Sequence, residues 1–193
     1  MLFVDGWHRC TSMDKRLVSH SKFLSLVLRH APDRIGIELD AEGWVSIAEL
    51  LDAAQASGRT LDHDTLLSVV HENDKQRFAI SSDGTRIRAS QGHSVDIDLA
   101  LPPSQPPAVL FHGTVAKFLH SIRKQGLVPG SRQHVHLSAD EATASIVARR
   151  RGKPVILTIN SGGMADDNCV FYRSANGVWL TAHVAPEFIR FPE

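Results

Sequence analysis

The chain has 193 residues, 42% of them hydrophobic, which is enough for one compact domain or two small ones with a buried core. Lysine and arginine together number 21, and so do aspartate and glutamate, so the net charge is zero. This balance argues against a protein that coats nucleic acid nonspecifically, but it is compatible with a local basic site for one phosphate.

Cysteine usage and hydropathy favour a cytoplasmic protein. The two cysteines, Cys10 and Cys169, lack the spacing of metal ligands and indicate neither a disulfide framework nor a zinc site. The chain contains no apolar run of about 18 residues, so we expect no membrane span. The N-terminus also lacks the apolar stretch and cleavage site of a secretory signal.

The N-terminal part of the chain begins with an extension and a first helix. Residues 1–14 show no periodicity and are predicted to form a loose extension. From Ser19 or Ser21 onwards, apolar residues recur at helical spacing, and Pro32 ends this helix.

Two further helices and a hairpin are predicted before residue 98. The sequence SIAE at 46–49 is typical of a capping box, and the helix that it opens should end near Gly58. Asp62 can cap a third helix, and Asp83–Gly84 predicts a hairpin between two β-prone runs. Three helices followed by a hairpin is the element order of a winged-helix module, although element order alone is weak evidence for that fold.

A proline-rich segment separates this half from a strand-rich half. Because prolines disfavour helices and central strands, residues 99–108 are predicted to be a linker. The segment 115–125 predicts a helix with Phe118, Leu119 and Ile122 facing inward. The sequence SADE at 138–141 predicts a second capping box and a helix to about residue 150. Strands are predicted in the runs AVLFH, HVHLS, PVILTI, CVFY, GVWL and EFIRF, and the fold class is therefore α+β.

Histidines on two of these strands indicate a cleft for a polar ligand. His134 and His136 are two residues apart, so both rings should lie on one face of a strand. His112 and Gly113 lie near a strand end, where a ligand could approach the main chain. The His134–His136 pair could also ligate a metal, but without a third ligand nearby we favour ordinary strand histidines or a ligand wall.

Three separated arginines offer a possible phosphate site. Arg29, Arg77 and Arg132, together with His30, could surround a phosphate only if the two halves of the chain face each other. Taken alone, each has an ordinary explanation. For Arg29–His30 that explanation is a solvated cap at a helix C-terminus.

The ordered set of motifs LRHAP, KQRF, QGHS, LFHGT, RQHVHLS, RRGKPVIL and FYRSANGVWLT resembles the RNA 2′-phosphotransferases over about residues 17–191. The resemblance implies a winged-helix RNA-binding lobe at 15–98 and, after the linker, an NAD-binding lobe of the ADP-ribosyltransferase fold at 109–193. It also implies removal of an internal RNA 2′-phosphate by transfer to NAD+, through an RNA-2′-phospho-ADP-ribose intermediate. The implied products are 2′-hydroxyl RNA, nicotinamide and ADP-ribose 1″,2″-cyclic phosphate.

The resemblance also assigns roles to individual residues. It places Arg29, Arg77 and Arg132 around the phosphate, and His30 as the phosphate partner or the source of the proton for the departing RNA 2′-oxygen. It places further residues at NAD+, namely His112, Gly113, Thr114, His136, Ser138, Arg150 and Val178.

Two positions qualify the resemblance. Protein-modifying ADP-ribosyltransferases often have a glutamate where this chain has Val178, and its absence counts against a protein acceptor. Near Asn168 a glycine would be expected, and we expect asparagine to tolerate the left-handed turn there.

The expected partners are NAD+ as co-substrate and a tRNA-like RNA, with no metal and no membrane, for a monomeric protein. Two other functions remain open. One is ADP-ribosylation of nucleic-acid terminal phosphates, and the other is a non-catalytic winged-helix nucleic-acid binder that senses NAD+.

Overall fold

The computed structural model describes residues 15–73 and 75–192, so the predicted extension and Cys10 lie outside the described residues. Within these ranges the chain forms helices and three small antiparallel sheets, which confirms the α+β class. None of the helices in these two ranges has the length and apolar character needed to cross a bilayer.

The N-terminal half is built around three helices and one sheet. Its elements are α1 (Lys15–Val27), a 3-10 turn (Pro32–Ile35), β1 (Val45–Ser46), α2 (Ile47–Ala56), α3 (His63–His71), β2 (Phe78–Ile80) and β3 (Arg86–Ala89). The strand order is β1-β3-β2, and the predicted hairpin joins β2 to β3. A buried apolar cluster that extends from Phe23 to Ala89 holds these elements together.

Local signals predicted the helix starts only in part. As predicted, the Asp62 carboxylate accepts a hydrogen bond from the Thr65 amide at 2.7 Å. The predicted capping box at 46–49 is wrong, because the Ser46 side chain makes no capping hydrogen bond. Ser46 instead pairs with Arg86 in the sheet. The sheet therefore fixes the start of α2.

The C-terminal half contains two sheets with short helices between their strands. Its elements are β4 (Leu110–Val115), a 3-10 turn (Ala116–Phe118), α4 (Leu119–Gln125), β5 (Val135–Leu137), α5 (Glu141–Ala148), a 3-10 turn (Arg149–Arg151), β6 (Pro154–Ile159), α6 (Ser161–Asp166), β7 (Phe171–Arg173), β8 (Trp179–Thr181), a 3-10 turn (Pro186–Phe188) and β9 (Ile189–Arg190). The strand orders are β4-β6-β9 and β5-β8-β7. A second buried cluster, from Leu110 to Ile189, lies within this half.

Two predictions for the C-terminal helices are wrong. The side chain that caps α5 belongs to Asp140, which accepts from the Thr143 amide at 2.7 Å. Ser138 is unavailable for this role, because its amide and carbonyl pair with Phe111. The Phe118 side chain, predicted to face inward, is 37% exposed because its backbone lies in a 3-10 turn before α4.

Two smaller features also test the sequence interpretation. Asn168 has a φ of 62°, which confirms that asparagine accepts the left-handed turn. The helix α6 was not predicted, because glycines at positions 162 and 163 lower its helix propensity.

The predicted linker packs against the C-terminal half. Pro103 forms an isolated antiparallel β-bridge with Tyr172, and the Ser104 amide donates to the Phe171 carbonyl oxygen at 2.8 Å. The Ser161 hydroxyl donates to the Pro107 carbonyl oxygen at 2.7 Å. These contacts attach the proline-rich segment to β7 and α6, so the segment is packed against the C-terminal half.

Gly113 allows β4 and α5 to approach each other closely. A Cβ atom built at Gly113 would collide with the Ala144 carbonyl oxygen and lie 3.0 Å from the Ala148 side chain. Gly113 was predicted to let a ligand approach the main chain. On the side where a Cβ atom would lie, this prediction is wrong, because α5 occupies that space.

We expect Gly113→Ala to lower the free energy of unfolding by about 1–3 kcal/mol, because the helix must move away from the strand. Urea denaturation measures this change. The control Gly58→Ala adds a methyl group that meets nothing within 4 Å but retains a positive φ. It should lose only about 1–2 kcal/mol through left-handed strain. A loss well below about 1 kcal/mol for Gly113→Ala would contradict the packing argument.

Candidate active site

The structure brings Arg29 of the N-terminal half close to both of the other predicted arginines. Arg29 follows α1, Arg77 precedes β2, and Arg132 lies in the loop before β5. The Arg29 Nη2 atom donates to the Arg77 carbonyl oxygen at 3.2 Å. Burial, followed by the positive charges of Arg77 and Arg132, lowers the pKa of Arg29 to about 10. Arg29 therefore stays charged at neutral pH, at a measurable electrostatic cost.

No carboxylate of the protein neutralises these arginines within residues 15–73 and 75–192. The ion pairs found there join Arg86 to Asp40 and Arg88 to Glu42, away from the cluster. The Arg29 Nε atom is buried and has no hydrogen-bond partner in the same part of the chain. Buried polar and charged groups are normally paired, so this arrangement indicates a site for an external anion.

Asn73 positions Arg77 and was missed by the sequence interpretation. The Arg77 Nη1 atom donates to Asn73 Oδ1 at 2.9 Å, and Asn73 Nδ2 donates to the Ser21 hydroxyl at 3.3 Å. The Asn73 side chain is only 2% exposed. A neutral amide holds the guanidinium in place here, where a carboxylate would cancel its charge. A single asparagine carries no spacing signal, so no sequence pattern points to it.

His30 lies beside this cluster on the exposed side. Its Nδ1 atom is 2.9 Å from the Ser94 hydroxyl oxygen. Burial lowers the pKa of His30, and the charges of Arg29 and Arg132 lower it further. In the free protein the neutral imidazole is therefore favoured at pH 7, and a bound anion would oppose the effect of the arginines.

The histidines of β4 and β5 form a linked pair in the C-terminal half. His112 Nδ1 donates to the His136 carbonyl oxygen at 3.1 Å. His136 Nδ1 is 3.0 Å from the His134 carbonyl oxygen, and its Nε2 atom is 2.7 Å from the side chain of Gln91. Burial, then the charge of Arg132, lowers the pKa of His136 to about 3. Gln91, which the sequence interpretation did not select, thus connects the N-terminal half to this pair.

The other predicted ligand-binding residues differ in their access to solvent. Thr114 is only 5% exposed, so its hydroxyl does not face an open cleft. Arg150 is exposed. Burial lowers the pKa of Arg77 and of Arg132, and the charge of Arg150 lowers both further, for Arg132 together with that of Arg151. Val178 is half-buried, and its carbonyl oxygen accepts from the Ser174 amide at 3.0 Å. The structure therefore brings Arg150 to the arginine cluster.

Hydrogen bonds connect the two halves around the site. Besides the contact of Gln91 with His136, the Asn176 side-chain amide donates to the Lys75 carbonyl oxygen at 2.9 Å. Asn176 lies in the loop before β8, close in sequence to Val178, and Lys75 lies close in sequence to Arg77. These contacts fix the facing arrangement that the three-arginine hypothesis requires.

Two cavities in the described part of the chain lie outside the arginine cluster. A cavity of about 460 Å³ is bordered by Lys22, Arg34 and Arg59, and none of the predicted site residues lines it. The cavity beside His136 holds only about 10 Å³, roughly the space of one water molecule.

These features define the class of the site. Guanidinium groups from two halves of the chain lie together without a carboxylate partner among residues 15–73 and 75–192, an arrangement that suits a phosphate or another anion. The family model of the RNA 2′-phosphotransferase, Tpt1 / KptA family matches residues 15–183. The chain therefore belongs to the RNA 2′-phosphotransferase family, a family of enzymes.

Curated relatives agree with this assignment. A probable RNA 2′-phosphotransferase of Burkholderia pseudomallei is 57% identical over 89% of this chain and 94% of its own length. One from Agrobacterium fabrum is 58% identical over 83% of this chain and 87% of its own length. One from Acaryochloris marina is 52% identical over 91% of this chain and 97% of its own length.

We expect inorganic phosphate to stabilise the protein, because it relieves the repulsion between the arginines. At a hundredfold excess over the dissociation constant, Tm should rise by about 5 °C or more in a thermal shift measurement. Arg132→Gln should lose this gain while the anion-free Tm stays equal or increases. Arg34→Gln, which changes an exposed arginine outside the cluster, serves as the control. A phosphate response that survives Arg132→Gln would contradict the assignment of the site.

Asn73→Leu tests the positioning of Arg77. Removal of the amide leaves the guanidinium without its 2.9 Å acceptor, so phosphate affinity should fall by about tenfold. Isothermal titration calorimetry measures this affinity. Gln55→Leu, which removes an exposed amide side chain from α2, is the matched control. A variant that folds and binds phosphate as tightly as the wild type would show that Asn73 does not position Arg77.

Proposed function

We propose that this chain is an NAD+-dependent RNA 2′-phosphotransferase that removes an internal 2′-phosphate from RNA. The products are 2′-hydroxyl RNA, nicotinamide and ADP-ribose 1″,2″-cyclic phosphate. Among residues 15–73 and 75–192 the arginine cluster has no carboxylate partner, and this observation carries the proposal, since the cluster offers a phosphate site in a chain of zero net charge. Family membership and the names of the relatives favour an RNA 2′-phosphate over other anions.

The proposal includes a division of the chain into two lobes. We assign residues 15–98 to a winged-helix lobe that binds RNA, residues 99–108 to the linker and residues 109–193 to an ADP-ribosyltransferase-like lobe that binds NAD+. Three helices and a β-hairpin in the first half support the winged-helix assignment. The two separate apolar clusters, from Phe23 to Ala89 and from Leu110 to Ile189, support two lobes.

The residues of the second half fit a dinucleotide only in part. His112 donates through Nδ1, so its neutral ring keeps Nε2 as a free acceptor. Arg150 is exposed beside the cluster and can bind a pyrophosphate. Thr114 and Gly113 fit less well, because the threonine is buried and α5 covers one side of the glycine. NAD+, when bound, supplies the ribose carbon that accepts the phosphate and releases nicotinamide.

The arginines hold the phosphate in both steps of the proposed transfer. In the first step Arg29, Arg77 and Arg132 orient the RNA 2′-phosphate so that one of its oxygens faces the ribose carbon. In the second step, attack by the neighbouring ribose hydroxyl forms a new bond to phosphorus and breaks its bond to the RNA 2′-oxygen. The same arginines stabilise the negative charge that develops on the phosphoryl oxygens.

His30 is proposed to give a proton to the departing RNA 2′-oxygen. Burial, followed by the charges of Arg29 and Arg132, lowers the pKa of His30 in the free protein, so the neutral ring is favoured before substrate binds. A bound phosphate reverses that effect through its negative charge, and His30 then becomes a suitable general acid near neutral pH. Val178 has no acidic group, and an anionic phosphate acceptor needs no base at that position.

The decisive assay uses a short RNA with one internal 2′-phosphate, with and without NAD+, in EDTA, with mass analysis of all products. We expect phosphate loss only with NAD+, and a loss of activity by at least a hundredfold in Arg29→Gln because the phosphate is no longer held. ADP-ribose retained on the RNA would instead indicate ADP-ribosylation of nucleic-acid phosphates. Unchanged RNA despite NAD+ binding would favour the sensor function and contradict the proposal.

His30→Ala separates the two steps. Nicotinamide release should continue, whereas formation of the RNA 2′-hydroxyl should slow by about a hundredfold, within the usual range for general acid catalysis. Parallel measurement of nicotinamide and of RNA mass follows both events. His71→Ala, which changes an exposed histidine at the end of α3, is the control. Equal slowing of both events would contradict the role of His30 as the proton donor.

A further inference from the structure

Residues 91–94, in the sequence QGHS, lie where the two halves meet. Gly92 has a φ of 88°, and a Cβ atom built on it would lie 3.7 Å from His136 Nε2 and 3.8 Å from Arg29 Nη1. The backbone of this segment therefore passes between an arginine of one half and a histidine of the other. Its next residue, His93, is 2% exposed and lies against Gly43, where a built Cβ atom would be 3.4 Å from His93 Nε2.

His93 is held in its neutral form. Burial, followed by the charges of Arg29, His30 and Arg88, lowers the pKa of His93 to about 4. Its two ring nitrogens have no hydrogen-bond partner among residues 15–73 and 75–192. His93 thus contributes packing to this segment, while polar contacts are made by Gln91 and Ser94 on either side.

Ser94 can control which nitrogen of His30 carries the proton in the neutral ring. The Ser94 hydroxyl has one hydrogen, which it can donate to the Arg29 carbonyl oxygen at 3.5 Å or to His30 Nδ1 at 2.9 Å. When the carbonyl oxygen receives this hydrogen, the hydroxyl oxygen accepts a hydrogen bond from His30 Nδ1. The Arg29 carbonyl also accepts the Ser94 amide at 2.9 Å, which fixes the serine itself. His30 Nε2 is left to exchange a proton with a ligand.

Gln91 contacts Nε2 of His136, whereas Ser94 contacts Nδ1 of His30. The His134 carbonyl oxygen can only accept, so His136 Nδ1 must carry a hydrogen. Burial and the neighbouring charges of Arg132, His134 and Arg29 disfavour a second proton on the ring. The Gln91 atom 2.7 Å from Nε2 is Oε1, which can only accept, so a neutral ring requires Gln91 to present its amide NH₂ group instead, with the oxygen and nitrogen positions of the side chain exchanged.

We propose that residues 91–94 form a positioning element that gives the two histidines different roles, by leaving Nε2 of His30 free for proton transfer and occupying Nε2 of His136 with a donor from Gln91. His136 then lines the site as a neutral ring of fixed orientation and takes no part in proton transfer. The catalytic consequence rests on the proposed function, whereas the protonation states of the two rings do not.

Nitrogen NMR of protein labelled with ¹⁵N in histidine tests the proposal without any substrate. His30→Gln and His136→Gln identify the two signals among the 11 histidines. At pH 8 we expect both rings in the neutral Nδ1–H form. Ser94→Ala should shift His30 towards the Nε2–H form, whereas Ser94→Thr should retain the wild-type signal. Ser104→Ala, in the linker, is the control. An unchanged His30 signal in Ser94→Ala would overturn the role of Ser94.

The same spectra test Gln91. Wild-type His136 should stay neutral from pH 8 down to pH 5. Gln91→Glu replaces the donor by a group that only accepts, so His136 should become protonated at Nε2 and titrate at least one pH unit higher than in the wild type. A doubly protonated His136 in the wild type at pH 7 would overturn the proposal, because Gln91 would then act as an acceptor.

Activity measurements provide a second readout. Ser94→Ala should lower kcat about tenfold and leave KM for NAD+ unchanged, as for other groups that orient a catalytic ring. Ser94→Thr should retain most of the wild-type kcat. If the wild type transfers no phosphate, the proposed function fails and the NMR result still decides the protonation states. If Ser94→Ala shifts the His30 signal without lowering kcat, the catalytic part of the proposal is wrong.

Discussion

The burial of Arg29 beside the positive charges of Arg77 and Arg132 is the constraint on which the site depends. The protein holds these groups with neutral partners, such as Asn73 and backbone carbonyl oxygens, and places no carboxylate next to them in the part of the chain that the structure describes. A carboxylate would stabilise the free protein but would compete with a phosphate for the guanidinium groups. The arrangement therefore exchanges stability for anion affinity, as is common at functional sites.

The two-part architecture follows from this requirement. Each half has its own apolar cluster, and the halves contribute different arginines to one site. Contacts of Gln91 with His136 and of Asn176 with Lys75 hold the facing surfaces in register. Because these contacts are hydrogen bonds between polar groups, the interface stays compatible with the charged site beside it. Membership in the RNA 2′-phosphotransferase family gives this anion site its chemical context.

Local signals predicted several elements correctly, because neighbouring residues determine them. The cap at Asp62 and the hairpin at Asp83–Gly84 are examples. The capping boxes that begin at Ser46 and Ser138 failed, since the backbones of both serines take part in sheet pairing between distant segments. Composition and spacing cannot reveal such pairing. For the same reason, the packing of α5 against Gly113 was not foreseen.

The residues of the site were likewise predicted only in part. The three arginines were selected from the order of the motifs, and the structure brings Arg29 close to the other two. The residues that orient the site, Asn73 and Gln91, were missed. Each is a single polar side chain whose partner lies in another part of the fold, so no sequence pattern distinguishes it from a solvated residue. Side-chain positioning of this kind requires the three-dimensional arrangement.

A crystal structure with a bound short RNA that carries one internal 2′-phosphate would test the central claim most directly. The account predicts that the 2′-phosphate oxygens lie within hydrogen-bond distance of Arg29, Arg77 and Arg132 together, and that the buried Arg29 Nε atom gains its missing partner. A 2′-phosphate bound elsewhere on the protein, with the three arginines still facing solvent, would contradict the account.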